Sequence, residues 1–119
     1  MNSLLIRSHE ASAAIAPFRI AVFSDATNSR KVAQAATAVG PFAGTTGKLG
    51  AAAGEMADLT KVGIGSVQLG GTVKAGEPLT SDASGKAIVA AAGNRIIGHA
   101  EEPGTADAII DYLCAPGVL

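Results

Sequence analysis

Tryptophan is absent, and the aromatic residues stop at Phe18, Phe23, Phe42 and Tyr112. A sugar-binding surface would want exposed Trp or Tyr, and this chain has little to build one from. Bulky core material is scarce for the same reason. The hydrophobic fraction is 48%, but alanine supplies much of it. The gain on burial scales with apolar area, at about 25 cal/mol per Å², so an alanine-rich core is thin. Thin cores are often offset by oligomerisation or by docking on a partner.

Excess positive charge is also missing. The net charge is −1, and Arg30-Lys31 is the largest basic cluster. Nucleic-acid binding needs a basic stripe to neutralise phosphates, which argues against it. The single cysteine, Cys114, excludes an internal disulfide and points to a reducing compartment. Nothing approaches the roughly 20 apolar residues that span a bilayer. The longest uncharged run, Val32 to Gly47, is broken by Gly40, Pro41 and Gly44. The start "MNSLLIRSHE" carries charge early and lacks a signal-peptide apolar run. The reading is a soluble protein made in the cytoplasm, with no membrane and no nucleic-acid partner.

What is present is strand and turn chemistry. Residues 1–17 read as an arm: "SHEASAAIAP" has no clean period, and Leu4, Leu5 and Ile6 form a small apolar tag. From Phe18 the pattern alternates, with Phe18, Ile20 and Val22 on one face. The turn "SDATNS" follows, where Asn28 can adopt a left-handed conformation cheaply. "RKVAQAA" returns as a strand. Residues 40–55 read as a Gly-rich connection. A helix over 48–59 is disfavoured because Gly50 and Gly54 each cost roughly 1 kcal/mol there. "ADLTKVGIGSVQLGG" continues as short strands. In the C-terminal half, Gly76 closes a turn and Pro78 enters a strand at its edge. Asp82 opens a type I turn and Gly85 supplies its positive φ. Gly98 in "RIIGHA" marks a bulge or a close backbone approach. In "ADAIIDYLC", Ala108, Ile110, Tyr112 and Cys114 share one face, with Asp107 and Asp111 on the other.

The chain also repeats itself. Ser24-Asp25-Ala26 leads through Lys31-Val32-Ala33 to Val39-Gly40-Pro41-Phe42-Ala43. Ser81-Asp82-Ala83 leads through Lys86-Ala87-Ile88 to Ile97-Gly98-His99-Ala100. An Ala-Asp at 57–58 and again at 106–107 then opens an apolar stretch. The expected architecture is all-β, with few or no helices. It is a small barrel or sandwich of two related hairpin units, about 18–62 and 67–117, in one domain over 18–119 behind the arm.

The run "VQLGGTVKAGEPLTSDASGKAIVAAAGNRIIGHAEE" with "TADAIIDYLCAPG" resembles the capsid cement, or head decoration, proteins of tailed bacteriophages. "FRIAVFSDATNSRKVAQA" and "LGAAAGE" match in style. The resemblance covers roughly residues 18–119. It implies a β-rich homotrimer on the outer surface of an expanded head, bridging major capsid subunits. His99 and Cys114 depart from it, standing where small or aliphatic residues are more usual.

Chemical motifs do not assemble. "GIGSVQLG" has Gln68 where a dinucleotide loop needs its third glycine. "HAEE" with Cys114 lacks the second cysteine of a zinc deaminase. His9 and His99 suggest no metal site. Glu101-Glu102 and Asp107/Asp111 do not read as a glycosidase pair, since adjacent strand residues face opposite ways. Cys114 reads as a small buried hydrophobe. The expectation is a structural virion protein with no catalytic residues, cofactor or metal. Partner contacts are expected at Leu4, Leu5, Ile6, Arg7, Phe42 and Lys48. Asp25, Asn28, Gly76, Asp82, Gly85 and Gly98 are expected to shape turns. The alternative is a virion-surface adhesion or carbohydrate-binding β module.

Overall fold

The computed structural model describes residues 3–25, 27, 28 and 30–119, with the side chains of residues 3–5 and 7 outside the description. The fold is all β. Among the described residues there are nine strands and no helix. They are β1 (Ser3–Ala11), β2 (Ile20–Phe23), β3 (Lys31–Gln34), β4 (Phe42–Thr46), β5 (Met56–Gln68), β6 (Pro78–Ser81), β7 (Ala87–Val89), β8 (Arg95–Ala100) and β9 (Ile109–Val118).

Five strands close on themselves. The order β1-β3-β2-β4-β5 returns to β1 through a long antiparallel β1–β5 pairing. The interior of this barrel is filled by Ala11, Ile15, Ala21, Val32, Ala43, Ala51, Ala57 and Leu59. Small side chains suit so narrow a ring, and five of these eight residues are alanine. The sheet then continues from β5 through β9, β8 and β6 to β7. A parallel bridge between Leu69 and Ala87 brings the end of β5 back to β7. The core of this second ring is richer, with Val67, Leu69, Leu79, Ile97, Ile110 and Tyr112, and Ile20 from the first ring packs into it.

The two rings are the same unit used twice. Spatial order β3-β2-β4-β5 matches β7-β6-β8-β9. Asp25 accepts the Thr27 N–H at 2.9 Å, and Asp82 accepts the Ser84 N–H at 2.8 Å, in the hairpin turns of the two units. Lys31 pairs with Glu10 at 3.1 Å and Lys86 with Asp107 at 2.6 Å. β5 serves both units: its first half pairs with β1, and its second half pairs with β9 as β1 pairs with β5. Glu10↔Met56 and Gln68↔Ile109 are corresponding pairs. So are the bridges Ile15↔Ala51 and Val73↔Gly104.

Backbone conformation follows the same correspondence. Phe18 has φ +56°, two residues before Ile20; Gly76 has φ +86°, two residues before Pro78. Asp107 has φ +69°, two residues before Ile109; Gly54 has φ +85°, two residues before Met56. Among the described residues, the two non-glycine residues in this sterically costly region thus stand where the other unit carries glycine. Gly44 and Gly98 correspond as well. A Cβ at Gly44 would lie 2.6 Å from the Thr60 carbonyl oxygen, and one at Gly98 would lie 1.8 Å from that of Leu113.

Several expectations are corrected. Residues 3–11 form β1 of the barrel, within the stretch expected to be an arm. The pattern hid it because inward His9 is buried whereas outward Ile6 is 52% exposed. Residues 42–46 form β4, inside the stretch read as a Gly-rich connection. The strand is disguised by Gly44, which β5 approaches closely, and by buried Thr45 and Thr46. The short strands expected after residue 56 are one strand, β5. Its Gly65 makes room for Tyr112, whose Cε1 would be 2.9 Å from an added Cβ. Asn28 does not take a positive φ; its Oδ1 accepts the Arg30 N–H at 3.0 Å instead. The repeat pairs Gly44, not Gly40, with Gly98.

Candidate interaction surface

Gly76 and Gly85 have positive φ, +86° and +73°. Asp82 also accepts the Lys86 N–H at 3.0 Å. Gly98 lies at a register shift between β8 and β9, so it is both bulge and close approach. Asp25 is held below the usual carboxylate range by the Thr27 backbone N–H and hydroxyl.

Of the expected contact residues, the structure brings Ile6 and Lys48 together. Both line an open groove along the outer face of β5, with Gly47, Leu49, Gly50, Glu55, Met56, Asp58 and Thr60. The 47–50 loop forms one wall and β1 contributes Ile6 to the other. Leu49 is 81% exposed and Met56 60%. Neither was expected. Leu49 was readable as an apolar residue isolated between Lys48 and Gly50. Phe42 lies elsewhere, half-buried against the second core. Leu4, Leu5 and Arg7 have backbones in β1, paired with β5, but their side chains lie outside the described part.

Further along the same outward face, Val62, Ile109 and Leu113 are exposed. Ile64 faces Leu113 across β5–β9, Leu113 faces His99 across β9–β8, and His99 faces Pro78 across β8–β6. His99 is half-buried in this mostly apolar row.

The junction between the rings is polar at one point. The Tyr112 hydroxyl and Thr45 Oγ1 are 2.7 Å apart, both buried. Burial pushes the Tyr112 phenol well above its ordinary range. Cys114, half-buried beside it, is likewise pushed up by burial. Phe42, Tyr112 and Cys114 share a small cleft with Lys61 and Pro116. Among the described residues, no three His, Cys, Asp or Glu side chains gather as a metal site. "GIGSVQLG" runs along β5 and into the turn after it.

The doubled barrel has a solved counterpart. The chain is similar to the N base of the head fiber protein gp8.5 of bacteriophage phi29, with a TM-score of 0.74. The match covers 97% of each chain at 16% sequence identity. At that identity the likeness establishes the fold. No protein-family profile and no curated protein matches the chain.

Proposed function

We propose that this chain is a non-enzymatic structural protein of a tailed-phage head. It binds the outer surface of the expanded shell as a homotrimer and cements neighbouring major capsid subunits. The observation that carries the reading is the full-length likeness to a head fiber base, shared by both rings. Three further features support it. The first ring has an alanine-rich core, of the kind that gains from a partner. Exposed apolar side chains run along β5 and β9. Tyr112, the one tyrosine, is buried and offers no sugar platform.

Mechanistically, packaged DNA loads the shell outward. A trimer straddling capsid subunits adds interface that must be broken before the shell opens. A standard contact buries on the order of 1,600 Å². Binding that favours the expanded lattice biases expansion by the difference in affinity for the two states.

The test is co-sedimentation with expanded and unexpanded empty heads in parallel. The expected result is saturable binding to expanded heads alone, at a copy number that is a multiple of three per lattice site. No binding to either form would overturn the reading and favour the adhesion alternative.

A further inference from the structure

The duplicated unit provides an internal comparison. Asp58 on β5 and Asp111 on β9 are equivalent, and each accepts a serine hydroxyl: Ser8 to Asp58 at 2.6 Å and Ser66 to Asp111 at 2.9 Å. Around Asp111 the chain also completes the backbone edge. The Glu101 N–H donates to the Asp111 carbonyl at 3.0 Å. The Asp111 N–H donates to the Glu102 carboxylate at 3.1 Å.

Around Asp58 the same edge is left open. The β4–β5 pairing stops at Thr46↔Leu59. The Gly47 carbonyl turns away to accept the Phe18 N–H. Ala11 donates to the Glu55 carbonyl, so odd-numbered residues of β5 face β1 here, and Met56 and Asp58 direct their backbone groups toward the 47–50 loop. Among the described residues none meets them there. Open strand edges template the addition of another strand. The groove over this edge is walled by apolar Ile6, Leu49 and Met56, by the carboxylates of Glu55 and Asp58, which accept the Ala52 N–H and the Ser8 hydroxyl, and by Lys48, which has no ion pair among the described residues.

We propose that the groove between the 47–50 loop and β5 is a docking slot for an extended segment of a partner protein that carries a carboxylate. Its backbone pairs with Asp58, its carboxylate stands where Glu102 stands in the other unit, within reach of Lys48, and its apolar side chains cover Leu49 and Met56. The proposal deepens the head-protein reading by naming where the shell is gripped.

The first probe is a synthetic peptide with the sequence of residues 96–102, the segment that completes the edge in the second unit. Titrated into the intact ¹⁵N-labelled protein, it should shift the amides of Lys48, Leu49 and Asp58 and leave Asp111 still. Lys48→Glu and Leu49→Ser, both at exposed loop positions, should each weaken binding about fivefold or more, the scale of one lost surface contact. No shift at about 5 mM peptide, shifts centred elsewhere, or variants that bind like the parent would overturn the slot. The second arm repeats head co-sedimentation with both variants. Loss of head binding in the variants supports the slot as the grip. Retained head binding refutes it as the grip. Failure of the parent itself to bind heads overturns the head-protein reading, and the peptide titration still decides the slot.

Discussion

Gly98→Ala tests the doubled-unit geometry most sharply. The added Cβ would lie 1.8 Å from the Leu113 carbonyl oxygen and 2.9 Å from the Ala115 nitrogen. Both are backbone atoms of β9, so no rotamer change relieves the clash. β8 and β9 must part by more than about an ångström, which breaks roughly two strand hydrogen bonds at ~1 kcal/mol each. It also loosens Ile97 and Cys114 against the second core. Alanine at φ +153° adds backbone strain of order 1–3 kcal/mol. The sum is about 4 kcal/mol, a large part of the 5–15 kcal/mol typical of a domain. Gly76→Ala is the control. Its φ is +86°, but nothing lies within 4 Å of the added Cβ. There, strain of ~1–2 kcal/mol is partly offset by ~0.4–1 kcal/mol of lost unfolded-state entropy. Urea unfolding followed by circular dichroism should separate the two variants by about 3 kcal/mol at similar slopes. If Gly98→Ala loses no more than Gly76→Ala, the close approach of β8 and β9 is wrong.

Gly54→Asp should cost about 1 kcal/mol or less, because Asp107 already occupies the matching left-handed position and nothing lies within 4 Å of the Cβ; thermal melts check it. Tyr112→Phe leaves the buried Thr45 hydroxyl without its 2.7 Å partner and should cost about 1–2 kcal/mol in urea unfolding. The Lys86 ammonium, by hydrogen bond and charge, holds Asp107 below the usual carboxylate range. A depressed folded pKa means this contribution is complete above the unfolded carboxylate value and disappears as pH falls through the folded one. In Lys86→Met the Asp107 midpoint, read by NMR titration, should rise toward the ordinary value.

The sequence showed the β class, the turns and the duplication, because those reside in local chemistry. Asp25 and Asp82 followed by small residues, and Gly76 and Gly85, specify turns whatever surrounds them. It did not show β1, β4 or the length of β5, because those strands are set by tertiary contact. His9 is buried and Ile6 is exposed, so β1 inverts the usual pattern. Gly44 and Gly65 read as breaks until β5 and Tyr112 are seen filling the space beside them. The candidate groove was half legible. Ile6 and Lys48 were picked out by type, but only the closed barrel brings them across β5 to Leu49 and Met56. Gly98 stood out in sequence, whereas its true counterpart Gly44 was masked by the more conspicuous Gly40-Pro41.

β5 is a party wall. Residues 56–63 close one ring and residues 64–68 hold the other, so one strand is a side of both. Damage is therefore shared. A lesion in β9 removes support from the strand that β1 leans on, far away in sequence. Two modest cores joined by a single continuous stretch of backbone should melt in one transition rather than two.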